Sequence, residues 1–324
     1  MSTTQGRRIA VTCGEPAGIG PEIIVKAWQA LRGELELFVI GDPAHFADLA
    51  PLQELTDPGV NLSDDALPIL AHSFDAPRIP GSPDPSNAQG VVDAIARAVD
   101  LVRTGQAGAL CTAPIHKQAL QDGAGFIYPG HTEYLAALAE VDTVVMMLAS
   151  EQLRVVPVTI HIALEEVKAA LTPDLLEDTI RITHAGLVRD FGIAFPRLAL
   201  AGLNPHAGEG GKMGREEIEL IEPVLDRLRQ EGFDLHGPMS ADTMFHAAAR
   251  ETYDVAICMY HDQALIPIKT LDFDRGVNVT LGLPFVRTSP DHGTALDIAG
   301  QGIANPSSMI EALRLADRMA QARE

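Results

Sequence analysis

Three histidines occupy the same kind of position, at or just after the end of an apolar run that is typical of a buried strand. His161 ends VVPVTIH, His206 ends LALAGLNPH and His261 ends VAICMYH. Ligands of open α/β sheets bind at the carboxyl ends of the strands. Imidazoles bind divalent transition metals, and three of them leave positions open for a substrate. The pattern predicts a shared metal site, and the alternative is that each histidine merely ends a strand.

Other residues offer groups that could hold a phosphate. The segment 130–133, GHTE, precedes a helical pattern, so His131 and Thr132 would lie at a helix N-terminus, where unpaired N–H groups favour an anion. Lys269 follows an apolar run, and Arg287 lies in LGLPFVRTSPDHG just after a strand. An isolated cation is most often a solvated surface charge. Cations in apolar surroundings instead indicate an anion site.

The overall charge restricts the partners. The 324 residues include 24 Lys and Arg against 44 Asp and Glu, a formal net charge of −20. A field of this sign repels nucleic acid, so we expect no nucleic-acid partner, and a phosphorylated substrate requires a local cationic group. No segment reaches the roughly 18 apolar residues of a membrane span, and no signal-peptide pattern begins the sequence. We therefore expect no membrane partner and a cytoplasmic location.

Apolar strand patterns alternate with helical patterns along the whole chain. Strands are predicted at 8–13, 35–40, 109–112, 144–148, 155–161, 198–203, 255–260 and 277–281. Several are continuously apolar, which is typical of strands covered by helices on both faces. Helix starts are predicted at 172–174 (TPD) and 305–306 (NP), and one helix is predicted over 215–230. The pattern predicts an α/β fold with mostly parallel strands, and the length predicts two domains.

Seven segments carry a resemblance to a known family. They are GEPAGIGPEI (14–23), TAPIHK (112–117), PGHTEYL (129–135), GLNPHAGEGGKMGREE (202–217), MSADTMF (239–245), MYHDQALIPIK (259–269) and GVNVTLGLPFVRTSPDHGTALDIAG (276–300). Together they resemble the 4-hydroxythreonine-4-phosphate dehydrogenase family of vitamin B6 biosynthesis. The stretch HGTALDIAGQGIANP (292–306) is also similar to the cofactor loop of isocitrate and isopropylmalate dehydrogenases.

The resemblance implies an architecture. It implies two α/β/α domains with a cleft between them, like isocitrate and isopropylmalate dehydrogenases and without a Rossmann fingerprint. The first domain would comprise 1–130 with about 282–324. The second, about 131–281, would carry the metal and substrate residues. The resemblance also implies a homodimer with its active site at the subunit interface, so that the partner can supply one metal ligand.

The resemblance assigns roles to individual residues. The metal ligands would be His161, His206 and His261. The substrate-binding residues would be His131, Thr132, Lys269, Asn278 and Arg287. The cofactor-binding residues, in the dehydrogenase-like loop, would be His292, Gly293 and Asn305.

The implied reaction is oxidation of 4-phosphooxy-L-threonine at its 3-hydroxyl by NAD or NADP. The β-keto acid product then loses CO2 to give 3-amino-2-oxopropyl phosphate. One divalent metal per site (Zn, Co or Mg) would stabilise the developing alkoxide, and the nicotinamide would carry the redox chemistry. Asp242 and Lys269 are our candidates for catalytic groups, although Asp242 could equally be a helix-start residue beside Ser240.

Alternative functions remain open at this point. A sibling dehydrogenase would act on phosphothreonate, phosphoerythronate or a cyclic dihydrodiol with the same metal and hydride chemistry. A zinc hydrolase would use the three histidines and a metal-bound water, and it would need no nicotinamide. A phosphate-binding module without catalysis would explain the cations but not the histidines.

Overall fold

The computed structural model describes residues 8–324, and the chain divides into two compact units. Unit 1 consists of the chain up to Val144 together with Leu283–Glu324. Unit 2 consists of Val145–Gly282. Each unit combines a β-sheet with helices, which confirms the predicted α/β fold class.

Unit 1 is built on a parallel sheet with the strand order β3-β4-β2-β1-β5-β12. Its strands, numbered along the chain, are β1 (Ile9–Thr12), β2 (Leu37–Gly41), β3 (Leu52–Leu55), β4 (Leu67–Ala71), β5 (Ala109–Thr112) and β12 (Val286–Pro290). Its helices are α1 (Gly20–Leu31), α2 (Ala88–Arg103), α3 (Lys117–Ala124), α4 (His131–Ala139) and α10 (Ser307–Ala322). Because the strands are parallel, all their carboxyl ends meet at one edge of the sheet.

Helices cover both faces of this sheet, which explains the continuously apolar strand sequences. Leu110 of β5 belongs to the same core as Ile95 of α2. The next residue, Cys111, points the other way and has its Sγ 3.7 Å from the Sδ of Met309 in α10. Successive side chains of a strand face opposite sides, so each must be apolar when neither side meets water.

Helix α4 belongs to unit 1. Its residues Tyr134, Leu135 and Ala139 are part of the unit 1 core, and Tyr134 Oη donates to the carbonyl of Val92 in α2 at 3.3 Å. The sequence-based division assigned 131–144 to the second domain, whereas these packing contacts group the segment with the first. His131 at the start of α4 therefore lies in unit 1.

Unit 2 has a mixed sheet with the strand order β11-β6-β7-β10-β8-β9. Its strands are β6 (Val145–Ala149), β7 (Arg154–Pro157), β8 (Arg197–Ala201), β9 (Asp234–Met239), β10 (Val255–Cys258) and β11 (Val277–Leu281). Its helices are α5 (Val167–Ala170), α6 (Pro173–Phe191), α7 (Glu222–Gln230), α8 (Ala247–Arg250) and α9 (His261–Leu271). Strands β7, β10, β8 and β9 are parallel, whereas β6 runs antiparallel to both β7 and β11.

The local sequence signals agree with most of these elements. Every predicted strand overlaps an observed one, and Thr172 caps α6 by accepting a hydrogen bond from the N–H of Leu175 at 3.2 Å. The single helix predicted over 215–230 is instead a π-helical turn, Glu217–Ile221, followed by α7. Among residues 8–324, we find no helix with the length and apolar character needed to cross a bilayer.

Candidate active site

Two of the three histidines come together at one edge of the unit 2 sheet. Strands β7 and β10 are parallel neighbours, so the segments that follow them leave from the same edge. Thr159 Oγ1 donates to the carbonyl of Met259 at 2.8 Å and ties these two segments together. As a result, the ring centroids of His161 and His261 lie 5.8 Å apart.

Both rings line a cavity of about 530 Å³, which we call the histidine cavity. Besides His161 and His261, it is lined by Asp262 and by apolar side chains that include Ile162 and Ile266. The Nδ1 atom of His261 lies 2.7 Å from Oδ1 of Asp262, a contact by which a carboxylate can orient an imidazole. This contact leaves Nε2 of His261 as the ring nitrogen for a ligand. Two imidazoles in one cavity are a donor set that fits a divalent transition metal.

His206 does not complete this donor set within one chain. Among residues 8–324, no group of three or more His, Cys, Asp or Glu side chains is arranged to hold a metal ion. His206 is exposed, in a turn that follows β8. The role of His206 as a metal ligand stays a prediction, in which this histidine comes from the partner subunit.

Asp242, a predicted catalytic residue, lies in the 3-10 turn Ala241–Thr243, which packs against the turn carrying His206. Ser240 Oγ donates to Oδ1 of Asp242, the Ser240 side chain does not cap this turn, and the catalytic role of Asp242 stays a prediction. Lys269 lies in the last turn of α9 and lines a shallow cavity with His261 and Asp262.

Unit 1 contains a second cavity, of about 160 Å³, which we call the cationic cavity. Thr112 reaches it from the carboxyl end of β5 and Lys117 from the first residue of α3, while Ser289 and His292 reach it from the carboxyl end of β12 and the segment that follows. His131 lines it from the first residue of α4, which confirms the predicted helix start. The cavity therefore lies where a parallel sheet binds its ligands.

Arg287 of β12 supplies a buried positive charge next to this cavity. Only 3% of the residue is exposed, and its Nη2 donates to Thr112 Oγ1 at 2.7 Å. Burial lowers the pKa of Arg287 to about 10, although the negative charge of Glu133 acts in the opposite direction. The guanidinium is thus charged at neutral pH in a poorly solvated place, where its attraction for an anion is stronger than in water.

The histidines of the cationic cavity have nitrogens without partners. The Nε2 atoms of His131 and His292 are inaccessible to water and have no hydrogen-bond partner. Burial and the positive charges of Arg287 and Lys117 hold the pKa of His131 well below its usual value. A neutral imidazole can still donate one N–H, and an unsatisfied buried nitrogen is costly until it finds an acceptor. The cavity therefore fits a phosphate.

The low pKa of His131 predicts a pH dependence of stability. An imidazole in the unfolded chain titrates near pH 6.5, whereas the pKa of folded His131 lies well below this value. Between the two values the unfolded chain binds more protons, so the free energy of unfolding falls as the pH drops below about 6.5. We expect His131→Gln to show a smaller loss of Tm than the parent between about pH 7.5 and 5.5. His236→Gln, on the surface, serves as the control, and an unchanged pH slope in His131→Gln would contradict the assignment.

The predicted cofactor loop is anchored on α1. Lys26 Nζ donates to the carbonyl of Ala304 at 2.8 Å, and Glu22 Oε1 accepts from the N–H of Ala304 at 2.9 Å. Asn305 is exposed, and its Oδ1 accepts from the N–H of Ser307 at 3.0 Å at the start of α10. At the other end of the loop, His292 and Gly293 line the cationic cavity. The end of the loop at Ala304 is thus held in place, and the cofactor role of the loop stays a prediction.

Residues 25–316 match the sequence family described as pyridoxal phosphate biosynthetic protein PdxA. The chain belongs to the PdxA family. One PdxA relative, the 4-hydroxythreonine-4-phosphate dehydrogenase of Roseobacter denitrificans, is 64% identical over 315 residues, which cover 96% of this chain and 97% of that protein. The family resemblance inferred from the sequence segments is thereby confirmed.

Solved structures agree with the PdxA assignment. The 4-hydroxythreonine-4-phosphate dehydrogenase of Klebsiella pneumoniae superimposes with a TM-score of 0.90 at 38% identity, covering 97% of this chain and 100% of that one. A terephthalate 1,2-cis-dihydrodiol dehydrogenase from Burkholderia xenovorans superimposes with a TM-score of 0.67 at 29% identity, covering 96% and 98%. This chain is thus more similar to the phosphate-named enzyme than to the dihydrodiol-named one.

The predicted substrate residues of this PdxA-family chain are divided between the units. His131, Thr132 and Arg287 lie in unit 1, whereas Lys269 and Asn278 lie in unit 2. Sequence reasoning did not assign a role to Thr112 or Lys117, which line the cationic cavity. Their signal was available in TAPIHK, which directly continues a buried parallel strand.

Proposed function

We propose that this chain oxidises 4-phosphooxy-L-threonine at its 3-hydroxyl with NAD or NADP, in pyridoxal phosphate biosynthesis. The product β-keto acid then loses CO2 to give 3-amino-2-oxopropyl phosphate. The observation that carries the proposal is the presence, in a PdxA-family chain, of a cationic cavity suited to a phosphate and a two-imidazole cavity suited to a divalent metal. A hydrolase or a simple phosphate-binding module would not need both together with a dehydrogenase-like loop.

The substrate phosphate binds in the cationic cavity in this proposal. Arg287 and Lys117 provide positive charge, and His131 donates an N–H from its buried Nε2. Thr132, in the first turn of α4, adds the favourable end of a helix dipole. Arg287 is already fixed by Thr112, so little side-chain entropy is lost when the anion binds. Lys269 and Asn278 are the further substrate ligands predicted in unit 2.

The metal site consists of His161, His261 and, from the partner subunit, the residue equivalent to His206. A divalent metal held there would supply Lewis acidity to the 3-hydroxyl, and a nicotinamide cofactor held by His292, Gly293 and Asn305 would accept the hydride. Nitrogen ligands favour Zn or Co over Mg. Asp262 orients the His261 ring. Asp242 and Lys269 are the candidates for accepting the hydroxyl proton.

A homodimer is part of the proposal. Beside the histidine cavity, Ile162, Leu164 and Ile266 are 41%, 73% and 61% exposed. Exposed apolar side chains around a polar site are typical of a surface that another protein covers. A second copy on this surface would shield these side chains and supply the third imidazole. Sedimentation of the purified protein should show a dimer. A cytoplasmic location is a separate part of the proposal.

The direct test is an assay for NADH formation. The purified chain is stripped of metal, reloaded with Zn or Co, and mixed with 4-phosphooxy-L-threonine and NAD or NADP. We expect formation of NADH from NAD, or of NADPH from NADP, that chelation abolishes and metal restores. Phosphothreonate, phosphoerythronate and a cyclic dihydrodiol are run in parallel. Higher kcat/KM on any of these would transfer the proposal to the sibling activity, and turnover without nicotinamide would favour the hydrolase.

A further inference from the structure

The turn that carries His206 has a backbone conformation that residues with a side chain rarely adopt. Successive φ angles are +52° at His206, +49° at Ala207, +75° at Gly208, +43° at Glu209 and +64° at Gly210. In the left-handed region, Cβ crowds the following carbonyl oxygen, so His206, Ala207 and Glu209 are all strained. Such a conformation persists only where the surrounding structure enforces it.

A buried carboxylate on the next element holds this turn. Glu217, the first residue of the π-helical turn Glu217–Ile221, is only 1% exposed. Its Oε1 accepts from the N–H of Asn204 at 2.8 Å, and its Oε2 accepts from Asn204 Nδ2 at 3.0 Å. The carboxylate also fills the inside of the turn, since a Cβ on Gly208 would be 2.6 Å from Oε2. Glu217 thus contacts the turn on both sides of His206.

The base of the turn is also tied to the segment that carries His261. Gln263 Nε2 donates to the carbonyl of Gly202 at 2.7 Å, and Gln263 Oε1 accepts from the N–H of Met259 at 2.7 Å. Asn204 Nδ2 donates to Glu216 Oε2 as well, at 2.7 Å. The residues before His206 are therefore fixed, and the strained turn determines where its imidazole points.

We propose that Glu217, acting through Asn204, is a positioning residue that keeps the turn left-handed and so directs His206 to the metal. The inference rests on the proposed function, in which His206 is a metal ligand. A carboxylate can only accept hydrogen bonds, so it matches the two N–H donors of Asn204. Burying the Glu217 carboxylate away from water is costly, and its two hydrogen bonds from Asn204 offset part of that cost. Loss of the carboxylate should weaken metal binding while the fold persists.

The test compares metal affinity in isosteric variants of the full chain. In Glu217→Gln the volume is kept, but one oxygen becomes an NH2 group facing a donor of Asn204. We expect the Kd for Co²⁺, measured by calorimetry on the metal-free protein, to rise by roughly 10- to 100-fold, as for other residues that orient metal ligands. The matched control is Glu219→Gln, in the same π-helical turn, whose exposed carboxylate bonds Arg215. The control should bind Co²⁺ like the parent.

A rescue separates positioning from general stability. Adding Ala207→Gly to Glu217→Gln removes a strained Cβ from the turn, so the left-handed form becomes easier and part of the Co²⁺ affinity should return. Asn204→Ala removes the side-chain bonds to Glu217 and Glu216 but keeps the backbone N–H bond to Glu217 Oε1, and it should also weaken Co²⁺ binding.

Three outcomes overturn the inference. Parent-like Co²⁺ affinity in Glu217→Gln and Asn204→Ala excludes a positioning role. Weakened binding that follows a fall in Tm and does not respond to Ala207→Gly indicates a purely structural role. Parent-like affinity in His206→Ala removes the metal assignment itself, together with the inference. When His206→Ala weakens Co²⁺ binding and Glu217→Gln does not, the inference alone fails.

Discussion

The His261→Ala variant should lose metal binding and turnover together. The His261 ring is 5.8 Å from that of His161, and its Nδ1 is engaged by Asp262, which leaves Nε2 to bind the metal. Removing a direct ligand is costlier than removing a group that orients one, for which losses of 10- to 100-fold are usual. We expect the Kd for Zn or Co to rise more than about 100-fold. NADH formation should fall at least about 1,000-fold, since alkoxide stabilisation is lost.

A matched control exists on the same unit. His236 of β9 forms a similar pair, with Nε2 at 2.9 Å from Oδ1 of Asp234, but it lies on the surface and away from the histidine cavity. His236→Ala should keep the metal content and kcat of the parent. Metal content is measured by atomic absorption after dialysis, and Tm checks folding. Full metal occupancy in His261→Ala would remove His261 from the metal site.

The metal half of the site shows what the sequence could and could not indicate. The position of His161 and His261 at strand ends is a local property, visible as the end of an apolar run. The pairing of β7 with β10 cannot be predicted from local sequence, because β8 and β9 lie between these two strands along the chain. The left-handed turn at His206 could not be predicted from the sequence either, because residues with a side chain rarely adopt that conformation.

In the cationic cavity, the positions of some residues were easier to predict from the sequence than those of others. The N-terminus of α4 was readable from Gly130-His131-Thr132, since the segment precedes a helical pattern. The burial of Arg287 was not readable, because a single cation in a sequence is usually a surface charge. Strand β12 was missed as an element, and only its parallel pairing with β5 brings Arg287 to Thr112. Pairing over such distances depends on the whole sheet rather than on local preference.

Replacing Arg287 with methionine should impair substrate binding and stabilise the substrate-free protein. Removing one side of a buried charge pair usually costs 2–5 kcal/mol, so we expect kcat/KM for the phosphorylated substrate to fall by roughly 30- to 3,000-fold. If Arg287 holds the phosphate equally in the ground and transition states, the change falls mainly on KM. The KM of Arg287→Met for NAD should stay near that of the parent.

The stability effect has the opposite sign because of the depressed pKa. Burial lowers the pKa of Arg287 to about 10, so the folded chain holds the proton less tightly than the unfolded chain, and the charge destabilises the fold at every pH below that value. Methionine fills a similar volume without a charge, so the cost of burying the guanidinium is removed together with its bond to Thr112. We expect a higher Tm for Arg287→Met without substrate, and a smaller rise of Tm on adding inorganic phosphate.

The control for Arg287→Met is Arg103→Met, which removes an exposed guanidinium that donates to the carbonyl of Leu138. This variant should keep the KM of the parent and show no gain in Tm. An unchanged KM and kcat in Arg287→Met would exclude Arg287 from the phosphate site. A lower Tm would show that its bond to Thr112 stabilises the fold more than burial of the charge destabilises it. A raised KM together with a raised Tm in Arg287→Met is the result expected if the buried guanidinium destabilises the substrate-free fold and binds the substrate.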